Sequence, residues 1–181
     1  MLQLRFHGRG GQGAVTSAEL LALAAIREGK YAQAFPSFGP ERRGAPVMAF
    51  ARIDEKPIRD RTKVANPDVV IVLDSSILRT VDITQGLHDE SIIIIASPKE
   101  GKELKKELGF KYKTYVVNAK HIAIEEMKVA ITNTTMLGAF LAAKEVVSLE
   151  TIEEVIRERF GKIAEGNIRA LKRAKKETKA Y

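Results

Sequence analysis

A chain of 181 residues with 45% hydrophobic and 29% charged residues has the length and composition of one globular domain, which excludes a disordered protein. It contains no cysteine, so disulfides, thiolate zinc sites, cysteine nucleophiles and iron–sulfur ligation are excluded within the chain. The net charge of +7 leaves nucleic-acid binding open until the positions of the basic residues are considered. The longest apolar runs have only strand length and the N-terminal residues lack a signal-peptide layout, so we expect no membrane association and a cytoplasmic location.

The first part of the chain predicts three strands and one helix. Alternating apolar residues over 2–7 indicate a strand, and the apolar spacing over about 16–28 indicates a helix that stops at Gly29. Further strands are expected over 31–35 and 47–53, separated by a proline-rich loop over 36–46. That loop is too short for a crossover helix, so the strand over 47–53 is expected to insert antiparallel and to make the sheet mixed.

The rest of the chain predicts parallel strands alternating with helices. After a turn at 54–57 and a short extended stretch, nearly continuous β-branched runs over 68–74 and 92–96 indicate parallel strands buried on both faces. A strand over 112–117 and helices over 101–108, 132–146, 149–160 and 165–179 complete the predicted elements. Together they predict a single α/β domain over 1–181, a Rossmann-like three-layer domain with a mostly parallel sheet, helices on both faces and a helical C-terminus.

The positive charge is concentrated at the end of the chain, from Arg169 onwards, where Glu177 is the only acidic residue. The basic residues of this stretch are Arg169, Lys172, Arg173, Lys175, Lys176 and Lys179. No helix-turn-helix, zinc-finger or aromatic RNA-binding pattern accompanies them. We therefore expect a solvated or partner-facing basic tail over about 165–181 and no nucleic-acid partner.

A glycine-rich loop, Gly8-Arg-Gly-Gly-Gln-Gly13, connects the first predicted strand to the first predicted helix. A strand, this loop and a helix together form the setting in which the G-x-G-x-x-G pattern binds dinucleotide phosphates. Glycine lets the backbone turn sharply and approach a ligand, the helix N-terminus presents free N–H groups, and Arg9 adds a positive charge. The predicted phosphate-binding residues are Gly8, Arg9, Gly10, Gly11, Gln12 and Gly13.

The sequence does not indicate a complete NAD enzyme. The acidic residue expected at the end of the second strand is absent, and Gln33-Ala-Phe-Pro-Ser-Phe38 stands in its place. No hydride-transfer group of histidine, arginine and carboxylate is evident, and the three histidines have no metal-ligand spacing. A tight strand–helix turn without a ligand is the alternative interpretation of the glycine loop.

A second candidate site is the loop from Phe35 to Pro46, which contains the adjacent arginines Arg42 and Arg43. Two neighbouring guanidinium groups are suited to binding a phosphate or a carboxylate of a partner. Because the loop follows the second strand, we expect it near the glycine loop at the carboxyl edge of the sheet, in contact with a ligand or another subunit. An exposed loop in which Glu41 pairs with an arginine is the alternative.

Two further positions are candidates at the carboxyl edge. Thr132 or Asn133 is placed to cap a helix, and Asn133 is also a candidate ligand contact. Asp74 ends a buried strand, where it either faces a ligand or begins the next turn. The helix after Asn133 carries a strip of small residues that allows close packing against the sheet or another subunit: Gly138, Ala139, Ala142 and Ala143.

These stretches closely resemble the gamma subunit of pyruvate:ferredoxin oxidoreductase and the related 2-oxoacid:ferredoxin oxidoreductases. The matching stretches are Phe6-His-Gly-Arg-Gly-Gly-Gln-Gly13, Ala32-Gln-Ala-Phe-Pro-Ser-Phe-Gly-Pro-Glu-Arg-Arg-Gly-Ala-Pro46, Pro67-Asp-Val-Val-Ile-Val-Leu-Asp74, and residues 133–139. They are spread over about three quarters of the chain, and the second is long and unusual, so the resemblance is specific.

The resemblance implies a subunit of a cytoplasmic complex that converts a 2-oxoacid and coenzyme A to acyl-CoA and carbon dioxide and reduces ferredoxin. It implies no catalytic residue and no metal site in this chain, with thiamine diphosphate, Mg²⁺ and [4Fe-4S] clusters held by partner subunits of the alpha, beta and delta types. The family's gamma domain lies beside the active-site entrance, which implies that the glycine loop, with Arg42 or Arg43 and Asn133, contacts coenzyme A.

Three alternatives stay open at this stage. The chain is either a ligand-binding subunit or a non-catalytic assembly scaffold, and a free-standing nucleotide-dependent oxidoreductase is disfavoured by the missing acidic residue. Within the family, the substrate is pyruvate or, next, a branched-chain oxoacid such as 2-ketoisovalerate, with 2-oxoglutarate and indolepyruvate as further alternatives.

Overall fold

The computed structural model describes residues 1–37, 44–109 and 111–181. The strands are β1 (Leu2–Arg9), β2 (Tyr31–Pro36), β3 (Pro46–Asp54), β4 (Val69–Val72), β5 (Ile92–Ala96), β6 (Lys113–Val117) and β7 (Lys179–Ala180). The α-helices are α1 (Ala14–Arg27), α2 (Gly101–Leu108), α3 (Ala119–Met127), α4 (Asn133–Ala143), α5 (Leu149–Phe160) and α6 (Ala164–Glu177). Two short 3₁₀ helices are Ser75–Arg79 and Gly161–Ile163.

The described strands form one sheet in the order β2-β3-β1-β4-β5-β6-β7. Strands β1, β4, β5 and β6 are mutually parallel, whereas β3 runs antiparallel to both of its neighbours and β7 runs antiparallel to β6. The predicted α/β fold with a mostly parallel, mixed sheet is therefore confirmed. The strand predicted over 47–53 inserts antiparallel between β1 and β2, as its short connection requires.

This insertion has a direct consequence for the nucleotide-binding pattern. Because β3 separates β1 from β2, the end of β2 lies two strand spacings from the end of β1, roughly 10 Å. An acidic residue at the end of β2 would not sit beside the glycine loop as it does where the two strands are neighbours.

The two faces of the sheet are covered unequally. Leu4 and Phe6 of β1 point into the larger core, which is shared with α1, α4, α5 and α6. Val70 and Val72 of β4 point into a smaller core on the opposite face, beneath the Ser75–Arg79 turn and α2. Helices therefore lie on both faces, but the connection from β4 to β5 contains a short 3₁₀ helix where a parallel crossover usually has an α-helix.

Several predicted boundaries differ from the structure. Helix α1 begins at Ala14, two residues earlier than predicted, because Gly13 adopts a left-handed conformation immediately before it. The helix predicted over 132–146 ends at Ala143. The short extended stretch expected directly after the turn at 54–57 is not a strand, since the next described strand is β4. Helix α3 has no counterpart among the predicted elements, although its buried residues Ala119, Ile122 and Ala123 have helical i, i+3, i+4 spacing.

The predicted C-terminal helix is confirmed as α6, and its basic residues Arg169, Lys172 and Lys176 are exposed as expected. Helix α6 packs its apolar side into the main core and ends at Glu177, after which β7 pairs with β6. Its basic side chains form ion pairs with other helices, among them Arg169–Glu126, Arg173–Glu125 and Lys172–Glu153. The acidic partners lie far away in sequence, so the local excess of positive charge did not reveal them.

Candidate ligand-binding site at the glycine loop

The glycine loop lies where the strand order reverses. The chain leaves β1 through α1 towards β2 on one side of the sheet, whereas β4, the parallel neighbour of β1, leads to β5 on the other side. The crevice outside the carboxyl ends of two such strands is where open α/β sheets bind ligands. Gly8 and Arg9 belong to β1 itself, so residues 10–13 form the actual turn.

The glycines of this loop differ in why, and how strictly, the structure requires glycine at their positions. Gly13 has φ +83° and a Cβ added there would lie 2.9 Å from Asn133 Cβ, so both backbone conformation and space demand glycine. Gly11 has φ +95° with open space around it. A Cβ on Gly8 would meet Gln12 Oε1 and Leu73 Cβ at 3.4 Å, which is ordinary contact. The close approach at Gly13 is therefore to the protein's own Asn133.

The start of α1 has the features of an anion-binding helix end. Gly13 offers no side chain to cap it, and the first turn contains no acidic residue. The first N–H groups of a helix have no partner within the helix, and the helix dipole adds positive potential there. With exposed Gly11 beside it, this end can receive a phosphate or carboxylate.

Arg9 is held in place by neighbouring segments. Its Nε donates to Ser76 Oγ at 2.9 Å, and its Nη1 donates to the carbonyl oxygen of Gly44 at 3.0 Å. These bonds fix the guanidinium beside the glycine loop, between the Ser75–Arg79 turn and the residues preceding β3.

Gln12 bridges the loop and Asp74. Its Oε1 accepts from the backbone N–H of Arg9 at 2.7 Å, and its Nε2 donates to Asp74 Oδ2 at 2.6 Å. Asp74 Oδ1 also accepts from the N–H of Ser76 at 2.8 Å and so caps the turn that follows β4. Burial by itself would raise the pKa of Asp74, but hydrogen bonds from Ser76 and Gln12 and the charge of Arg9 lower it below its usual value. Gln12 thus has both polar atoms engaged within the protein.

The predicted arginine site is only partly described, because Arg42 and Arg43 lie outside the described residues. The end of their loop is tied to the glycine loop: Gly10 N donates to Ala45 O at 2.9 Å, and Gly44 N donates to Gly10 O at 3.2 Å. The expected proximity of the two loops is confirmed for this end.

Asn133 lies against Gly13 at the beginning of α4. Its Oδ1 accepts from the N–H of Thr134 at 2.8 Å, and its carbonyl oxygen accepts from Ser17 Oγ of α1 at 3.2 Å. Thr132 directs its hydroxyl to the carbonyl oxygen of Leu73 at 3.0 Å and does not cap the helix with its side chain. The starts of α1 and α4 therefore meet at one place beside the end of β4.

A cleft of about 220 Å³ opens next to this junction. It is lined by residues from the carboxyl ends of β4, β5 and β6, including Asp74, Ser97, Asn118 and Lys120, and by Gln12 of the glycine loop. Its polar walls and the glycine loop form one continuous edge.

The sequence interpretation missed a buried polar pair beneath the loop. His7 Nε2 accepts from Arg5 Nε at 2.9 Å, and Arg5 also donates to the carbonyl oxygens of Ile83 and Gln85. Burial, followed by the charge of Arg5, lowers the pKa of His7 to about 3, so it is neutral at physiological pH. Side chains alternate between the two faces of a strand, so Arg5 and His7 lie on the face opposite Leu4 and Phe6. This alternation was the signal in the sequence that could have revealed the pair.

The described residues contain no group of three or more metal-binding side chains that could hold a metal ion. No helix in the described ranges has the length and hydrophobicity to cross a lipid bilayer.

Comparison with known proteins identifies the class of protein. The model of the pyruvate ferredoxin/flavodoxin oxidoreductase family matches residues 3–177. The chain therefore belongs to this family, and it is a subunit of an oxidoreductase complex.

Individual relatives narrow the class to one type of subunit. The "pyruvate/ketoisovalerate oxidoreductases common subunit gamma" of Pyrococcus furiosus is 52% identical, with 100% of this chain and 99% of the relative covered. The "pyruvate synthase subunit PorC" of Methanothermobacter thermautotrophicus is 47% identical over 98% of this chain and 96% of its own. The crystal structure of pyruvate oxidoreductase subunit PORC from Thermotoga maritima superposes with a TM-score of 0.89 at 41% identity, covering 99% of this chain and 97% of that one. The resemblance to the gamma subunit is confirmed.

Proposed function

We propose that this chain supplies the phosphate-binding part of the coenzyme A site in a pyruvate:ferredoxin oxidoreductase. That enzyme converts pyruvate and coenzyme A to acetyl-CoA and carbon dioxide while it reduces ferredoxin. The observation that carries the proposal is the start of α1, which has no side-chain cap and no acidic residue and lies beside exposed Gly11. The diphosphate of coenzyme A has the charge that this helix end favours.

Arg9 supports the same assignment. Its guanidinium is positioned by hydrogen bonds to the neutral partners Ser76 and Gly44. Asp74 lies near enough for the charge of Arg9 to lower its pKa, but the two side chains form no ion pair. The glycine loop is hydrogen-bonded to Gly44 and Ala45, which directly follow Arg42 and Arg43 in the sequence. These two arginines are proposed to contact the same phosphates.

The rest of the enzyme is proposed to reside in partner subunits of the alpha, beta and delta types. They would hold thiamine diphosphate, Mg²⁺ and the [4Fe-4S] clusters and would pass electrons to ferredoxin, and the complex would be cytoplasmic. The absence of cysteine in this chain agrees with iron–sulfur ligation elsewhere. Because relatives are named for both pyruvate and ketoisovalerate, a complex that uses a branched-chain oxoacid is the next candidate.

An assembly scaffold is the second candidate function, and one observation favours it. Gln12 uses both of its polar atoms within the protein, as a bridge from Arg9 to Asp74. A loop that is internally satisfied in this way can serve as a rigid support without contacting a ligand.

Steady-state kinetics of the assembled complex distinguish the two functions. With Arg9→Ala or Arg43→Ala, we expect the KM for coenzyme A to rise about tenfold, since a hydrogen bond to a charged group contributes about 1.5–3 kcal/mol. The KM for pyruvate is expected to stay unchanged, because the oxoacid is held by other subunits. Arg59→Ala, at an exposed position before β4, is the matched control. An unchanged KM for coenzyme A in both variants of a fully assembled complex would favour the scaffold.

A further inference from the structure

An apolar groove of about 370 Å³ lies beside the glycine loop on the side away from the polar cleft. Its apolar walls come from the connection between α3 and α4 and from the end of α5 with the following 3₁₀ turn. We define the groove by Met127, Val129, Ile131, Asn133, Phe160 and Ile163.

The rim of the groove exposes aliphatic side chains to water. Ile163 is 67% exposed, Val129 47% and Ile131 40%. Beneath them, Met127 and Phe160 are partly buried and pack against the main core. Single exposed apolar residues are common on protein surfaces, but several around one concave site indicate a surface that binds something.

The groove is continuous with the glycine loop through Asn133. This residue lines the groove and also lies against Gly13, where an added Cβ would be 2.9 Å from Asn133 Cβ. Asn133 is only 6% exposed, so an occupant that contacts it is separated from the start of α1 by this one side chain.

The side-chain polar atoms of Asn167 and the carboxylate of Glu126 at the groove are already engaged within the protein, so its centre is suited to apolar side chains. Asn167 accepts from Thr134 Oγ1 and donates to the carbonyl oxygen of Ile163, both at 2.9 Å. Asn133 Oδ1 accepts from Thr134 N, and Glu126 pairs with Arg169 and Arg173. Leucine, methionine or phenylalanine side chains need no hydrogen-bond partner in such a site.

The charge around the groove indicates which type of residue flanks the apolar side chains of the occupant. Lys128 and Lys162 are exposed and directly precede the groove residues Val129 and Ile163 in the chain. Lys128 Nζ donates to the carbonyl oxygen of Glu125 at 2.9 Å, and neither lysine forms an ion pair with a carboxylate of the described residues. A protein surface with an apolar centre and acidic edges complements this pattern.

We propose that the groove is the docking site for an apolar, acid-flanked segment of another subunit of the same oxidoreductase. The proposal rests on the proposed function, since the partner is a subunit of that complex. The bound segment would lie against Asn133 and would cover the outer side of the glycine loop. This contact would join the coenzyme A site to the subunit that holds the reaction centre.

Co-expression of the chain with the other subunits, followed by affinity purification and gel filtration, tests this proposal. Ile163→Glu and Val129→Glu place a charge in the groove at exposed positions, so the isolated chain is expected to keep its unfolding temperature. We expect the affinity for the remaining subunits to fall by at least about tenfold in each variant. Ile26→Glu makes the same change at a 51% exposed site on α1 and is expected to assemble normally.

The outcomes separate this proposal from the proposed function. Groove variants that assemble as well as the wild type would overturn the docking site, and so would an equal loss in Ile26→Glu. Normal assembly with a raised KM for coenzyme A would assign the groove to the pantetheine arm instead. A wild-type chain that does not assemble with the oxidoreductase subunits would overturn the proposed function as well.

Discussion

At the scale of single residues, similar-looking motif positions turn out to have different structural roles. Gly13 is required by its positive φ and by Asn133, whereas Gly8 sits in a strand with ordinary room for a Cβ. Gln12 and Asp74, predicted as separate candidates, form one hydrogen-bonded unit. The sequence shows the motif to which each residue belongs. Their pairing, however, depends on β1 and β4 being parallel neighbours in the sheet.

Asp74 gives a prediction that depends on pH. Replacing it with asparagine removes one of its two acceptor sites, for Ser76 N–H or Gln12 Nε2, so we expect a loss of about 1–2 kcal/mol in the free energy of unfolding at pH 7. Its pKa is lower in the folded chain than the unfolded value of about 3.9. The stabilisation is therefore complete above that value and is lost as the pH falls through the folded-state pKa.

Urea unfolding of the wild type and the variant between pH 7 and pH 3 measures this difference. The difference between the two curves should shrink as the pH falls below about 4, the unfolded-state pKa of an aspartate. Asp89→Asn, at an exposed position, serves as a control whose stability is expected to match the wild type throughout. A difference that is independent of pH would show that the charge of Asp74 is not involved.

At the scale of elements, helices α4 and α6 pack unusually closely. A Cβ on Gly138 of α4 would lie 2.0 Å from the carbonyl oxygen of Leu171 in α6. The predicted small-residue strip therefore serves an intramolecular contact at this position. The sequence indicated close packing but could not name the partner, since 33 positions separate the two residues in the chain.

Gly138→Ala tests the contact between these helices. Alanine in a helix is normally favoured over glycine by about 0.5–1 kcal/mol, so stabilisation is the result expected without tertiary contacts. Because a backbone atom blocks the Cβ, we expect instead a destabilisation of about 3 kcal/mol, measured by chemical denaturation. Ala142→Ser, at an exposed position on the same helix, should change the stability by less than about 0.5 kcal/mol.

At the scale of the whole molecule, the C-terminal residues cover one edge of the sheet. Thr114 N of β6 donates to Tyr181 O at 3.2 Å, and Tyr181 N donates back to Thr114 O at 2.8 Å. The Tyr181 ring packs at Gly101, where an added Cβ would be 2.1 Å from it. The sequence predicted helix through residue 179, because a two-residue strand carries no periodic signal.

Deletion of Lys179–Tyr181 is expected to expose the outer edge of β6. An unpaired edge strand loses hydrogen bonds and can pair with other chains, so the unfolding temperature should fall and aggregation should rise. Hydrogen exchange at Thr114 N–H should accelerate in the deletion. In Tyr181→Ala, which keeps the backbone pairing, that amide should remain protected, and equal exchange in both variants would contradict this role for β7.

Local periodicity, a short connection and contiguous motifs were sufficient to predict the α/β class, the mixed sheet, the glycine loop and the family. The way in which these parts meet depends on tertiary contacts. The tertiary structure joined Gln12 to Asp74, set Asn133 against Gly13, paired the basic helix with distant carboxylates and formed the apolar groove. These contacts join residues far apart in the chain, and their geometry follows from strand order and helix packing, which no local pattern encodes.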